Sequence, residues 1–243
     1  MSSTSDSFLK LIRKAQRIFG DKYAVKSYSQ EGEDLILRRL FARKSVGFYV
    51  DIGAHHPLRF SNTHIFYSRG WCGINIDALP DGMKIFNKYR PRDINLEIAI
   101  SDKVEELTYY EFNDPALNGF SKELSNFREK NTGYQIISTK KMTAFPLVDI
   151  LDQHLPKGQK IDFMTIDAEG WDLKVLQSND WSKYQPSVVL VEIKNTVLED
   201  MENNPLVRFL KGKGYLVYAK SVNTWFFYRD PLKGQVDDNK IYC

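Results

Sequence analysis

Cysteine is scarce in this chain: Cys72 lies in an apolar stretch and Cys243 is the last residue. Two thiols so placed supply neither a disulfide framework nor a cysteine-based zinc site, and a reducing cytoplasm is the expected compartment. Long apolar runs are missing as well. No stretch approaches the roughly 20 residues that span a bilayer, and the N-terminus lacks the compact apolar core of a secretion signal, so the chain is expected to be soluble. Charge is nearly balanced: 34 Lys+Arg against 31 Asp+Glu leave a net +3, too little to imply a surface that tracks nucleic-acid phosphates. Repeats and low-complexity segments are also absent.

What remains is the composition of an ordinary folded protein, with 42% hydrophobic and 27% charged residues, which argues against disorder. The length of 243 residues suits one α/β domain, here placed at 27–232. Ahead of it, Phe8, Leu11, Ile12, Ala15, Ile18 and Phe19 recur at helical spacing while Lys10, Arg13, Lys14 and Arg17 fill the other face, giving a basic amphipathic helix within 1–26. Such a helix packs on the domain, joins two copies in a homodimer, or rests on an anionic membrane surface. Beyond Pro231 the Gly, Asp and Asn content marks 233–243 as a tail.

From Ser45 onward, short apolar runs alternate with amphipathic segments. The runs at 47–52, 73–77, 94–100, 161–167, 188–193 and 215–219 carry few charges, as strands buried on both faces should. Helices are expected at 33–41, 62–69, 80–88, 172–177 and 205–213, and right-handed crossovers then give a layered α/β/α architecture. Residues 225–228 follow 215–219 across a short turn and read as an antiparallel closing hairpin. One interval breaks the rhythm: 104–145 holds a strand-like 107–112, a polar stretch through Asn118, Gly119 and Ser121, and a helical 122–130. It is expected to be an insertion over the sheet's mouth, serving as a substrate lid.

Chemistry gathers at three strand ends. In Val50-Asp51-Ile52-Gly53-Ala54-His55-His56-Pro57 an apolar strand ends in an acid, and Gly53 lets the backbone turn and approach a ligand. The next run ends at Asp77, an acid placed to accept both hydroxyls of an adenosine ribose. A dinucleotide would want a Gly-x-Gly-x-x-Gly turn for its pyrophosphate, and this chain has Gly53 alone. S-adenosylmethionine needs no phosphate cradle, and its cationic amine and sulfonium match carboxylates such as Asp51. The third end, Ile166-Asp167-Ala168-Glu169-Gly170-Trp171-Asp172, puts Asp167 in the same crevice, flanked by Glu192 on the next strand.

Asp167, Glu169 and Glu192 are candidates for a general base, for holding substrate hydroxyls, or, least favoured, for a divalent cation. Of the adjacent His55 and His56 at most one points inward, and His56 is preferred as a proton acceptor. Tyr109, Tyr110, Phe112, Phe120 and Trp171 offer faces on which a sugar could stack.

At these residues the sequence resembles the FkbM-type methyltransferases. The resemblance rests on Tyr28-Ser29-Gln30-Glu31-Gly32-Glu33-Asp34, on Val50-Asp51-Ile52-Gly53-Ala54, on Ala99-Ile100-Ser101-Asp102, and on Ile166-Asp167-Ala168-Glu169-Gly170 with Val175-Leu176. It implies a Rossmann-like class I methyltransferase fold: a mostly parallel seven-stranded sheet, helices on both faces and an antiparallel C-terminal strand. It further implies S-adenosylmethionine as donor and oxygen methylation of a sugar, glycan intermediate or other small natural product, as in polysaccharide biosynthesis. By the same resemblance Asp51, Gly53 and Ala54 fall in the methionine-binding turn, Asp77 and Ala78 at the ribose, Ser101 and Asp102 near the adenine, and Asp167 beside the donor. Gln30 and Glu33 belong to a segment folding over it. His55, Pro57 and Asp172 depart from the usual pattern. The rival readings are a nicotinamide-dependent oxidoreductase and a non-catalytic cofactor-binding scaffold.

Overall fold

Apolar runs flanked by amphipathic helices can bury both faces of a sheet only by stacking helices on each side of it. The computed structural model, which describes residues 23–229, has that arrangement; the amphipathic helix foreseen within 1–26 and the tail at 233–243 lie outside or almost wholly outside the described residues. Numbered in chain order, strands β1 (Phe48–Ile52), β2 (Cys72–Asp77), β3 (Ile94–Glu97), β7 (Phe163–Ile166), β8 (Val188–Glu192), β9 (Tyr215–Ser221) and β10 (Thr224–Arg229) form one sheet. Its order is β3-β2-β1-β7-β8-β10-β9. Pairing is parallel from β3 to β8, and β10 runs antiparallel to both neighbours. This is the expected doubly wound, Rossmann-like sheet with a reversed C-terminal strand. β1 sits between β2 and β7, where successive connections leave in opposite directions, so the crevice at the strands' carboxyl ends is open for a ligand.

Alternation along the strands divides the core. Phe48, Val50 and Ile52 of β1, Met164 and Ile166 of β7, and Val189 and Val191 of β8 share one face. There they meet Leu147 and Leu151 of a helix at Leu147–His154, Leu176 of one at Asp172–Gln177 and Leu210 of one at Pro205–Gly212. Tyr49, Phe163, Val188 and Leu190 face the other way, against Leu37 of α1 (Glu33–Leu40) and Ile65 and Phe66 of α2 (His64–Tyr67). α3 (Gly82–Tyr89) packs Met83 and Phe86 on Ala54. Among the described residues no helix is long and apolar enough to cross a membrane.

The structure corrects the sequence reading in two places. The run at 94–100 is not one strand: β3 ends at Glu97, the Ile98 N–H bonds the Asp77 carbonyl at 3.1 Å, and β4 (Ala99–Ile100) joins a different sheet. That second sheet, β4-β6-β5, contains β5 (Glu105–Phe112) and β6 (Ile136–Phe145), with α4 (Lys122–Asn131) between them. β6 was not foreseen, because Lys140 and Lys141 interrupt its apolar positions. The remaining helices, in chain order, are α5 (Leu147–His154), α6 (Asp172–Gln177) and α7 (Pro205–Gly212).

Candidate active site

A cavity of about 400 Å³ lies at the carboxyl ends of β1, β2, β7 and β8, within the range of small-molecule sites. Ile52, Gly53, Asp77 and Asp167 come from the strand ends, and Tyr109 and the 114–120 stretch come from the second sheet's excursion. The mouth is therefore shared between the two sheets. Residues Tyr109, Phe120 and Trp171 line it; Tyr110 does not, and Phe112 is buried.

Asp77 ends β2 at the cavity and is held by its surroundings. One carboxylate oxygen accepts the His55 N–H at 2.7 Å and the other accepts the Leu79 N–H at 2.7 Å. Ionised carboxylates have about four acceptor positions, so these backbone donors leave acceptor capacity on Asp77, which lines the cavity. The surrounding protein desolvates the carboxyl and raises its pKa, against the pull of those N–H donors. Ala78 also lines the cavity.

The turn after β1 differs from the expectation. Gly53 has φ +79°, and a Cβ there would lie 1.8 Å from the Asp167 carbonyl oxygen. Close approach is thus to the neighbouring strand end. Asp51 lies on the Tyr49 face of β1, away from the cavity, where its carboxylate accepts the Thr63 hydroxyl at 2.9 Å. Burial raises its pKa to about 6 even though the Arg90 guanidinium nearby lowers it. Fully buried Arg90 donates to the Thr63 hydroxyl at 2.6 Å, to the Ser61 hydroxyl at 2.7 Å and to the Pro57 carbonyl at 2.6 Å. Asp51 therefore anchors the β1–α2 loop from below. Ala54 is buried against α3 and does not line the cavity.

The two histidines diverge, in the opposite sense to that preferred. His56 Nδ1 accepts the N–H groups of Leu58 and Arg59 at 3.0 Å each, which fixes the turn and leaves the ring outside the cavity lining. His55 lines the cavity, and burial lowers its pKa despite nearby Asp77. Ser101 and Asp102 are likewise displaced: the Ser101 hydroxyl donates to Glu105 at 2.6 Å inside the second sheet, and Asp102 is exposed. Ile98, Ala99 and Ile100, just before them, line the cavity instead.

Asp167, Glu169 and Glu192 come together, each offering an oxygen within 4.8 Å of the others. Lys194, which sequence reasoning missed, bridges Glu192 at 2.6 Å and Glu169 at 3.1 Å. A divalent cation would have to compete with that ammonium. Asp167 is open to solvent on its cavity side; the protein packed around it, then repulsion from Glu192 and Glu169, nonetheless raises the pKa of its carboxyl. Glu192 is also raised by burial, opposed by Lys194. Burial disfavours the Lys194 charge, but Glu169 and Glu192 outweigh it and hold the ammonium above its ordinary range. Arg128 of α4 ion-pairs Glu169 and donates to the Leu117 carbonyl at 2.8 Å. Asp172 caps the turn, accepting from Ala168 and Gly170 N–H at 2.9 and 3.1 Å.

Gln30 and Glu33 both line the cavity. Their segment is tied to the β9–β10 turn, where Thr224 donates to Glu33 at 3.0 Å and the Asn223 N–H donates to Glu31 at 2.9 Å.

A family model described as the methyltransferase FkbM domain matches residues 51–217. No curated protein matches the chain. Among solved structures, a TehB-like SAM-dependent methyltransferase from Corynebacterium glutamicum aligns over 95% of this chain and 100% of its own, at 9% identity and TM-score 0.38. A precorrin-6y C5,15-methyltransferase from Geobacter metallireducens aligns over 87% and 96%, at 13% and 0.41. An O-methyltransferase from Bacillus cereus, in complex with SAH, aligns over 93% and 90%, at 13% and 0.34. Scores this low leave the assignment to the strand order and the family match.

Proposed function

Since the chain belongs to the FkbM methyltransferase domain family, we propose that it transfers a methyl group from S-adenosylmethionine to a hydroxyl oxygen of a sugar, glycan intermediate or other small acceptor. The observation that carries this reading is the pairing of Asp77 with the Asp167 cluster on one cavity. When bound, the donor supplies an electrophilic methyl carbon on a positively charged sulfur. Asp77, with acceptor capacity left on its carboxylate, is the residue to hold ribose hydroxyls, and Ala78 with Ile98 to Ile100 supplies apolar surface beside it. Gln30 and Glu33 close the same cavity from the upstream segment.

A hydroxyl must lose its proton to attack. Asp167, whose carboxyl holds a proton more readily than an ordinary aspartate, is the proposed acceptor for it. Glu192 and Glu169, compensated by Lys194, orient the acceptor. The excursion at 104–145 serves as the lid that excludes water. The two cysteines and the absence of a disulfide framework keep a reducing cytoplasm as the proposed compartment. A nicotinamide reading fits poorly. The Gly53 and Ala54 N–H groups both bond the Ile76 carbonyl, at 2.9 and 3.1 Å, and that of His55 bonds Asp77, so none is left to cradle a pyrophosphate.

Titration calorimetry with S-adenosylhomocysteine tests the reading. Wild type is expected to bind it and not NAD; Asp77→Ala is expected to abolish binding. Asp167→Asn is expected to keep the affinity and lower turnover by about a hundred- to ten-thousandfold. Normal affinity in the Asp77 variant would overturn the ribose assignment.

A further inference from the structure

Two cationic side chains of the lysine and arginine type line the cavity, Arg59 and Lys194. Lys194 is neutralised by Glu169 and Glu192. The Arg59 guanidinium has no ion pair and no hydrogen bond among the described residues. Its central carbon lies 4.3 Å from the centroid of the Phe60 ring, and the Phe60 ring stacks on that of His55, 6.3 Å apart at 20°. A guanidinium resting over an aromatic ring makes no hydrogen bond to it through its N–H edge, and its fork of donors matches a carboxylate or a phosphoryl group.

The local backbone builds this stack. His55 and Phe60 have φ of 51° and 55°, a region that costs non-glycine residues free energy and persists only where the surroundings enforce it. Enforcement comes from His56, whose Nδ1 holds the Arg59 N–H at 3.0 Å, and from Arg90 beneath, which grips Pro57 and Ser61. The result is a 40% exposed phenylalanine supporting an unpaired cation at the rim.

Resting on the transferase reading, we propose that Arg59 is an anion clamp for the acceptor: the molecule methylated carries a carboxylate or phosphoryl group. The carboxylates of Asp167, Glu169 and Glu192 stand on the ends of β7 and β8, whereas Arg59 is on the β1–α2 loop. One acceptor can thus present a hydroxyl to the first group and its charge to the second.

The test titrates glucuronate, glucose 6-phosphate and glucose into the full chain by NMR, with and without S-adenosylhomocysteine. Wild type is expected to bind at least one anionic probe about ten- to a hundredfold more tightly than glucose, and the stronger arm identifies carboxylate or phosphoryl. Arg59→Gln should bring all three probes to one affinity and Arg59→Lys should retain part of the preference, with S-adenosylhomocysteine affinity unchanged in both. Equal affinity of wild type for the three probes, or a preference that survives Arg59→Gln, overturns the clamp. So does a parallel loss of S-adenosylhomocysteine affinity in Arg59→Gln, which would put the guanidinium on the donor. If wild type binds no S-adenosylhomocysteine yet prefers the anions, the anion site is supported and the donor reading is the one that falls.

Discussion

Asp51 is an acid that the fold prefers to keep neutral. Its pKa stands at about 6 against an ordinary 3.8 because it is buried, so between those values the folded state binds more protons than the unfolded chain. Stability from this group is therefore fully present below about pH 4 and is lost as pH rises through about 6. That rise in pKa corresponds to about 3 kcal/mol at most. Asp51→Asn, which keeps an acceptor for Thr63, is expected to flatten the fall in melting temperature between pH 4 and pH 6 in scanning calorimetry; a profile with the wild-type slope would contradict it. Gly53 is constrained differently. A methyl group there would overlap the Asp167 carbonyl at 1.8 Å in a left-handed backbone, so Gly53→Ala should cost about 3 kcal/mol or more, read as a lower urea midpoint. An unchanged midpoint would mean that the β1 and β7 ends part without strain. The motif announced both residues, but not which way they face. The period of two along a strand puts Asp51 with Tyr49 and leaves Ile52 toward the cavity, and the motif alone carries no such direction. His55 and His56 show the same limit, since the turn's positive φ decides which ring enters.

Elements were legible where burial made them apolar on both faces, and less so where one side meets solvent. β1, β2, β7 and β8 stood out as charge-poor runs, and so did the closing β9–β10 hairpin. β6 turns Ile136, Met142 and Ala144 inward but exposes Ile137, Thr139, Lys140, Lys141 and Thr143, with Lys140 pairing Glu111 at 2.8 Å, so the apolar signal is diluted. The break at Ile98 changes hydrogen-bond partners without changing composition, and a hydrophobic pattern cannot register that. Glu169 was foreseen as a site residue, but its partner Arg128, 41 residues earlier, could not be, because charge pairing across such a span leaves no local mark. That contact connects α4 to the cavity rim. Arg128→Gln should leave the main sheet intact and loosen the excursion. Hydrogen exchange of amides in α4 and 115–120 should accelerate about tenfold while β1 and β7 amides keep their protection; uniform acceleration would show that Arg128 supports the fold as a whole.

At the scale of the molecule, two sheets share one ligand cavity. The chain leaves the seven-stranded sheet at Glu97, enters the three-stranded one at Ala99, and returns through α5 to β7. Both the strand ends of the first sheet and, from the second sheet's excursion, Tyr109 with residues 114–120 line the cavity, so a ligand filling it binds a surface that exists only when both are folded. Ligand linkage then acts on them together. S-adenosylhomocysteine at about 100 times its dissociation constant should stabilise the protein by about 2.7 kcal/mol, an upward shift of about 5–10 °C for a domain of this size. The decisive feature is the shape of the transition. If the sheets unfold as one unit, circular dichroism and tryptophan fluorescence, which follows Trp71, Trp181 and Trp225 in the main core and Trp171 at the cavity, should report one midpoint with and without ligand, moving equally. A ligand that raises one midpoint and leaves a second behind would show that the excursion folds independently, and that the cavity is closed by an element able to open without cost to the sheet below it.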